Sequence, residues 1–223
     1  PKEYSVKIDT KGGKIEEYPS TYSYLDGEYI IPTPVKNNYE FIGWRKNGDN
    51  TGLYSTYKIK SGDMGDVSLV AEWKAKEYSI EYDLGGGTLN KGVENPKSYT
   101  VLSGDFILSN PTRYGYTFLG WTENPYATYR TYSLRYTVFA NKGRDIKLTA
   151  LWAPIEYSIT YSLDGGSYRF DNSNPAKYTI ETDGVYLANP VKDGYTFLGW
   201  IKGGDRTETL RKGTVIAPGT IGD

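Results

Sequence analysis

The stretch GYTFLGW at positions 115–121 returns letter for letter at 194–200, and a third copy, NYEFIGW, occupies 38–44. Working outward, Tyr22–Trp44, Tyr99–Trp121 and Tyr178–Trp200 align without a gap as three segments of 23 residues. Pro34, Pro111 and Pro190 coincide, as do Gly43, Gly120 and Gly199. Each segment comes after a common opening: EYSVKIDTKGG at 3–13, EYSIEYDLGGG at 77–87 and EYSITYSLDGG at 156–166. Two lead to a common close, LVAEW at 69–73 and LTALW at 148–152. A fixed period of this kind marks one small structural unit used in tandem. The boundaries read as 1–75, 76–154 and 155–223, with the third copy lacking its closing strand.

A motif in triplicate is either a reactive site or a core. A reactive site needs a reactive polar group inside the motif, and GYTFLGW holds none. The five tryptophans fall two, two and one among the copies, so none is left over for a unique site. The core reading is therefore favoured. The linkers KAKE (74–77) and APIE (153–156) are short and not Gly/Ser-rich. Fully extended, four residues reach at most about 14 Å. Consecutive copies are expected nearly in contact, head to tail, as an elongated array.

Local pattern points to strands. Tyr4, Val6 and Ile8 alternate with Ser5, Lys7 and Asp9, and Tyr78, Ile80 and Tyr82 alternate with Ser79, Glu81 and Asp83. Period two with one polar face is a half-buried strand. The glycine pairs after these strands read as hairpin turns leading into a second strand. The YTFLGW segment is apolar on both faces, the signature of a central strand covered on both sides. No twelve-residue window has a good helical period, and at most a short helix fits between Thr51 and Met64. The fold class is mostly β, α+β at most. Trp44, Trp121 and Trp200 are expected to be buried and equivalent.

Composition narrows function. The net charge is −1, and by thirds it is −1, +2 and −2, so no basic module for nucleic acid is present. The chain has no Cys and no His, which removes thiolate nucleophiles, Ser-His-Asp triads and the usual zinc sites. No apolar run is long enough to insert in a membrane as a helix. The chain begins at Pro1 and its one methionine is Met64, which reads as a fragment or a processed product. Tyrosine stands out, with 23 residues against 6 Phe.

The pattern Y-S-[VI]-x-[IY]-D-x-x-G-G, then P-x-[KR]-x-G-Y-x-F-x-G-W, then L-x-A-x-W resembles the internalin B-repeat, or Listeria–Bacteroides repeat, over nearly the whole chain. Asn37-Asn38 departs from the glycine that the family prefers before the tyrosine. The resemblance implies three tandem small β-grasp-like domains on a bacterial cell-surface or secreted protein, hence an extracellular location. It carries no catalytic residues.

Other chemistry is weighed on the residues. Glycines in DTKGGK and DLGGG close a strand and open no helix, unlike a phosphate loop. No carboxylate pair recurs in all three copies, so a glycosidase pair has no support. Asp63 and Asp66 match no calcium-loop spacing and read as a solvated turn. Catalytic, metal and cofactor sites are accordingly called as none. The distinctive stretch outside the repeat pattern is NPYATYRTYSLRYTVF at 124–139. Tyr126, Tyr129, Arg130, Tyr132 and Arg135 form a candidate contact surface for a host protein or glycan, since Tyr and Arg are enriched at binding hot spots. The bland alternative puts Tyr132 and Tyr136 in the core. The primary reading is a non-catalytic stalk or spacer with an adhesion role, and the second is a glycan-binding module. The unfinished edge of the third copy is a candidate for self-association.

Overall fold

The computed structural model describes residues 1–46, 52–129, 131–169, 174–204 and 215–222. Its regular structure is almost all strand. The first repeat contributes β1 (Glu3–Asp9), β2 (Thr21–Ser23), β3 (Tyr29–Ile30), β4 (Tyr39–Lys46), β5 (Lys58–Ile59) and β6 (Val67–Ala75). The second contributes β7 (Tyr78–Asp83), β8 (Ser98–Tyr99), β9 (Phe106–Ile107), β10 (Tyr116–Thr122), β11 (Thr137–Val138) and β12 (Ile146–Pro154). The third contributes β13 (Tyr157–Ser158), β14 (Lys177–Tyr178), β15 (Val185–Tyr186) and β16 (Val215–Ile216). Helical turns among the described residues are two three-residue 3-10 segments, Ala140–Lys142 and Lys202–Gly204.

The opening and closing segments of a repeat meet at the centre of its sheet. In the first repeat the order is β2-β1-β6-β4. β1 and β6 run parallel, from Val6 opposite Val67 to Asp9 opposite Val70. β2 and β4 flank them antiparallel. The second repeat has the corresponding order, β10-β12-β7-β8. A parallel central pair with antiparallel flanks is the sheet order of a β-grasp, as the resemblance implies. Alternation along β6 sends Val67, Leu69 and Ala71 inward, where they join Val6, Tyr22, Ile31, Trp44 and Ile59 in a single core. Small β3–β5 and β9–β11 ribbons complete the two repeats.

The GYTFLGW strand is thus at the end of the sheet order, not at its centre. The central position belongs to L-x-A-x-W. The bulge brings Phe41 against Trp44 and Phe118 against Trp121, leaving Ile42 40% and Leu198 62% exposed, and the returning chain meets the strand at its free edge. Trp44 exchanges backbone hydrogen bonds with Tyr54 at 2.7 and 2.8 Å, and Trp121 does so with Ser133 at 3.0 and 3.0 Å. This crossing explains the glycine before each tryptophan. Register slips between Phe41 and Gly43, and again between Phe118 and Gly120, as in a β-bulge. A Cβ on Gly120 would lie 2.7 Å from the Ser133 carbonyl carbon, and φ there is +142°. The seven repeated letters therefore encode a bulge, a close backbone crossing and an indole beneath it.

The glycine pairs do form turns, but each turn leads into a one-residue bridge, Lys14 to Val35 and Thr88 to Thr112, not a second hairpin strand. The second glycine of the turn makes room for the closing tryptophan. A Cβ on Gly13 would fall 2.5 Å from the Trp73 ring, and one on Gly87 would fall 2.4 Å from the Trp152 ring. The indole N–H then donates to the same turn, Trp73 to the Thr10 carbonyl at 2.9 Å and Trp152 to the Leu84 carbonyl at 3.0 Å.

The third repeat keeps the receiving half of this arrangement. Phe197 packs edge-on against Trp200 at 5.3 Å, as Phe41 does against Trp44 at 5.1 Å. Tyr157 meets Tyr178 at 5.5 Å, matching Tyr4 with Tyr22 at 5.6 Å. Yet 195–199 form no ladder, and no closing strand pairs with them among the described residues. Trp200 is correspondingly half-buried, whereas Trp44 is 0% and Trp121 1% exposed. The expected equivalence of the three tryptophans holds for two of them.

The chain divides into two compact units. One comprises Pro1–Glu81, Asn95–Leu108 and Tyr136–Lys147, and the other Tyr82–Glu94, Ser109–Arg135 and Leu148–Asp223. The division passes through the second repeat, so each junction between successive repeats falls inside one unit.

Candidate functional site

Three surface features are built by the repeat pattern and its departures. The first is the loop that the sequence singles out. Tyr126 is 95% and Tyr129 90% exposed, and Tyr132, Leu134 and Arg135 are also exposed. Arg130 lies outside the described residues. Tyr126, Tyr129, Tyr132 and Arg135 lie on one loop, with the three rings exposed. Tyr132 does not face the core. Tyr136 is half-buried, with Lys142 Nζ 5.3 Å from its ring centre and donating to its hydroxyl at 2.8 Å.

The second feature is the pair of repeat junctions. Asn38 has φ +64°, and Gly115 at the equivalent position has φ +73°. This left-handed residue turns its carbonyl toward the linker. The Asn38 carbonyl accepts the Lys76 N–H at 2.9 Å, and the Gly115 carbonyl accepts the Ile155 N–H at 3.0 Å. Beyond that bond the junctions differ. At the first, the Asn38 side-chain oxygen accepts the Tyr78 hydroxyl at 3.2 Å and packs against Gly143, whose Cβ position it would occupy at 2.2 Å. At the second, Gly115 lies under Ile180, and the Tyr116 hydroxyl donates to the Glu181 carboxylate at 2.8 Å. That carboxylate raises the Tyr116 pKa above its usual value. Asn38 replaces the glycine of the repeat pattern because asparagine tolerates the left-handed region and adds a polar reach. The departure at Asn37-Asn38 was visible in the sequence, but its partner was not, because Tyr78 is 40 residues away.

The basic residue in P-x-[KR]-x-G-Y stacks on the tyrosine that ends the motif. Lys36 Nζ is 4.3 Å from the Tyr39 ring centre, the Arg113 guanidinium 3.6 Å from Tyr116 and Lys192 Nζ 4.4 Å from Tyr195. Lys36 also donates to the Lys11 carbonyl at 2.9 Å, and Lys192 to the Asp164 carbonyl at 2.6 Å. These cation–π contacts occur in all three repeats and escape sequence reading because the pair is three residues apart in an irregular turn.

The third feature is an open groove of about 690 Å³ in the first compact unit, around Lys36–Phe41, Trp73, Lys76, Tyr78 and Asn141.

One aspartate in each of the first two repeats ties the start of the closing strand to the opening strand. Asp66 accepts the Ser5 backbone N–H at 2.7 Å and the Ser5 hydroxyl at 2.9 Å, and Asp145 accepts the Ser79 N–H at 2.7 Å. These bonds hold both carboxyls below the usual aspartate range. A carboxyl with a depressed folded-state pKa adds stability above its unfolded pKa and loses it as pH falls through the folded value. The melting temperature is therefore expected to hold from pH 7 to about 5 and to decline below about 4, near the unfolded aspartate value. Asp66→Asn with Asp145→Asn should flatten that acid limb. An unchanged limb in melts from pH 7 to pH 2.5 would show that other carboxyls control it. Among the described residues no group of three or more His, Cys, Asp or Glu is placed to hold a metal, and no helix is long and apolar enough to cross a membrane.

Comparison with known proteins agrees with the geometry of the repeats. The Listeria-Bacteroides repeat domain model matches residues 4–72, 78–150 and 157–220. A "Putative membrane protein" of Evansella cellulosilytica is 27% identical over 220 residues, 97% of this chain and 30% of that protein. Internalin H of Listeria monocytogenes is 26% identical over 186 residues, 82% of this chain and 30% of its own length. The chain thus spans about a third of these relatives. No solved structure matches it. Three tandem matches, two running from the opening strand through the GYTFLGW bulge into the closing strand and the third over the opening and GYTFLGW segments, place the chain in the Listeria-Bacteroides repeat family.

Proposed function

We propose that the chain is a non-catalytic segment of a bacterial cell-surface or secreted protein, in which tandem repeats act as a stiff spacer. The observation that carries this reading is the junction bond. Each linker has an N–H at its third residue tied back to the preceding repeat, Lys76 to Asn38 and Ile155 to Gly115. A four-residue linker held at its third residue has little freedom left to bend. Nearest-neighbour contacts of this kind are how repeat arrays gain both stiffness and stability. The relatives support the surface location: one bears a membrane-protein name and another is an internalin.

Small-angle scattering tests the reading. A compact globule of 223 residues would have a radius of gyration of about 17 Å. A spacer should give a clearly larger value and the cross-section of one repeat. Inserting six Gly/Ser residues after Lys76 should broaden the distance distribution and, by uncoupling the first repeat from the second, lower the melting temperature only slightly. A compact particle, or a distribution the insertion leaves unchanged, would end the spacer reading.

A second reading rests on the exposed rings at 126 and 129. Two tyrosines almost wholly in water on one loop offer flat apolar area at low entropic cost, as adhesive surfaces do. In this reading the loop contacts a host protein or glycan. Specific binding on a glycan array or to host-cell extracts that disappears in Tyr126→Ala/Tyr129→Ala would favour it.

A further inference from the structure

We propose that the groove at the first repeat junction is a binding site for a neutral saccharide. Its floor is aromatic: Tyr39, Phe41, Trp73 and Tyr78 are all half-buried there. These rings are fixed by packing on one side, and a ligand would share the other with Lys36, whose Nζ is 4.3 Å from the Tyr39 ring centre and 5.8 Å from that of Trp73. Phe41 meets Trp73 edge-on at 5.5 Å, and the Trp73 indole N–H is anchored on Thr10. The floor is therefore preorganised and loses no rotamer freedom on binding.

The rim is polar and unspent. Asn37, Glu40 and Asn141 are exposed, and their side chains make no hydrogen bond within the described residues. Two amides supply donors and acceptors together, the carboxylate accepts, and the Lys76 ammonium donates. A ligand suited to this rim carries many hydroxyls that both donate and accept. Lys36 and Lys76 against Glu40 leave one net positive charge, too little to select a phosphate or an acidic polymer, so the hydroxyl-matching groups of the rim set the ligand class. A volume of about 690 Å³ lies within the range of small-molecule clefts.

Among the described residues only the first junction offers these groups. At the second, Arg113 and Tyr114 stand where Lys36 and Asn37 stand in the first, and Ile180 and Glu181 occupy the neighbourhood of Gly115 and Tyr116. The groove therefore depends on Asn37 and Asn38, the two residues that depart from the repeat pattern. It also depends on the Asn38–Tyr78 bond that holds Tyr78 in the floor. The inference is independent of the spacer reading and of the Tyr126/Tyr129 loop.

The test is a titration of the full chain, labelled with nitrogen-15, with three probes: chitotetraose, cellotetraose and maltotetraose. The expected result is saturable movement of the Trp73 indole N–H and the amides of 37–41 with at least one probe. Asn37→Ala/Asn141→Ala changes exposed side chains without internal partners, so its melting temperature should match wild type. It should bind at least about tenfold more weakly, the loss of two or more modest hydrogen bonds. The proposal is overturned if no probe moves these resonances up to about 10 mM, where even weak sites begin to fill. Equal affinity in the double variant would also overturn it. Shifts confined to 124–135 would place binding on the tyrosine loop and overturn it for the groove.

Discussion

Replacing Trp121 by alanine should destabilise the second repeat by about 3–5 kcal/mol, the sum of lost transfer energy and a residual cavity. The indole is 1% exposed and lies between Phe118 at 5.6 Å and Tyr82 at 5.7 Å, so little can collapse into the space it leaves. At about 0.05–0.15 kcal/mol per residue, a repeat of this length has roughly 4–12 kcal/mol of stability. The substitution therefore removes a quarter or more of it. Trp44→Ala should behave alike, since Trp44 is fully buried and braced by Phe41. Trp200→Ala should cost distinctly less, because Trp200 is half-buried and part of its surface already meets water. Denaturant melts of the three variants would rank them. A Trp121→Ala melt indistinguishable from wild type would overturn the core reading of GYTFLGW and reopen a functional one.

How much of this could be read in advance depended on what kind of contact was involved. Alternation along 4–8 and 78–82 identified the opening strands correctly, because period two is a local property of the pleat. The ungapped alignment identified the repeats, and the lack of any reactive group in GYTFLGW identified it as core. The strand order was not legible. An apolar run reads as a central strand, yet β4 and β10 end their sheets, because a bulge brings the Phe and the Trp together and the free edge is met only by a short return of chain at Tyr54 or Ser133. Nothing within the heptapeptide encodes that crossing except its glycine, whose requirement for positive φ and close approach shows only when the partner is in place. The same holds for Gly13 and Gly87, which read as turn glycines and prove to be seats for an indole about 60 residues later. At the candidate sites the exposed tyrosines were found by composition. The groove was not, since it assembles from Asn37, Trp73 and Asn141, residues far apart in the chain. The one local sign of it was the pair of asparagines that broke the pattern.

Appending the nine residues of β12, IKLTALWAP, after Asp223 should raise the melting temperature of the third repeat and shield its open edge. The register for this graft is set by three equivalent bonds. The Tyr22 hydroxyl donates to the Gly65 carbonyl at 2.6 Å, the Tyr99 hydroxyl to the Arg144 carbonyl at 2.7 Å, and the Tyr178 hydroxyl to the Gly222 carbonyl. Gly65 and Arg144 each precede the aspartate that leads into a closing strand, so the position after Asp223 is where such a strand would begin. The receiving groups are in place. Tyr161 packs on Trp200 at 5.6 Å as Tyr82 packs on Trp121, and Lys192 reaches the Asp164 carbonyl as Lys36 reaches that of Lys11. Gly166 stands where Gly13 and Gly87 accept an indole, and its Cβ position meets only backbone carbonyl groups. In the second repeat the same strand buries Leu148 and Ala150 almost completely and seats Trp152 over the glycine turn. Each large apolar side chain so placed contributes about 1.5–3 kcal/mol, and the new ladder pairs backbone groups on both sides. Without the graft, the edge beside 195–200 is a template for pairing with another chain, so self-association should rise with concentration. The graft should suppress it. A matched tail with its tryptophan changed to alanine should recover only part of the stabilisation, because the Gly166 seat would stay empty. Equal melting and equal self-association with and without the native-sequence tail would show that the third repeat has no such slot and that its register with the first two is wrong.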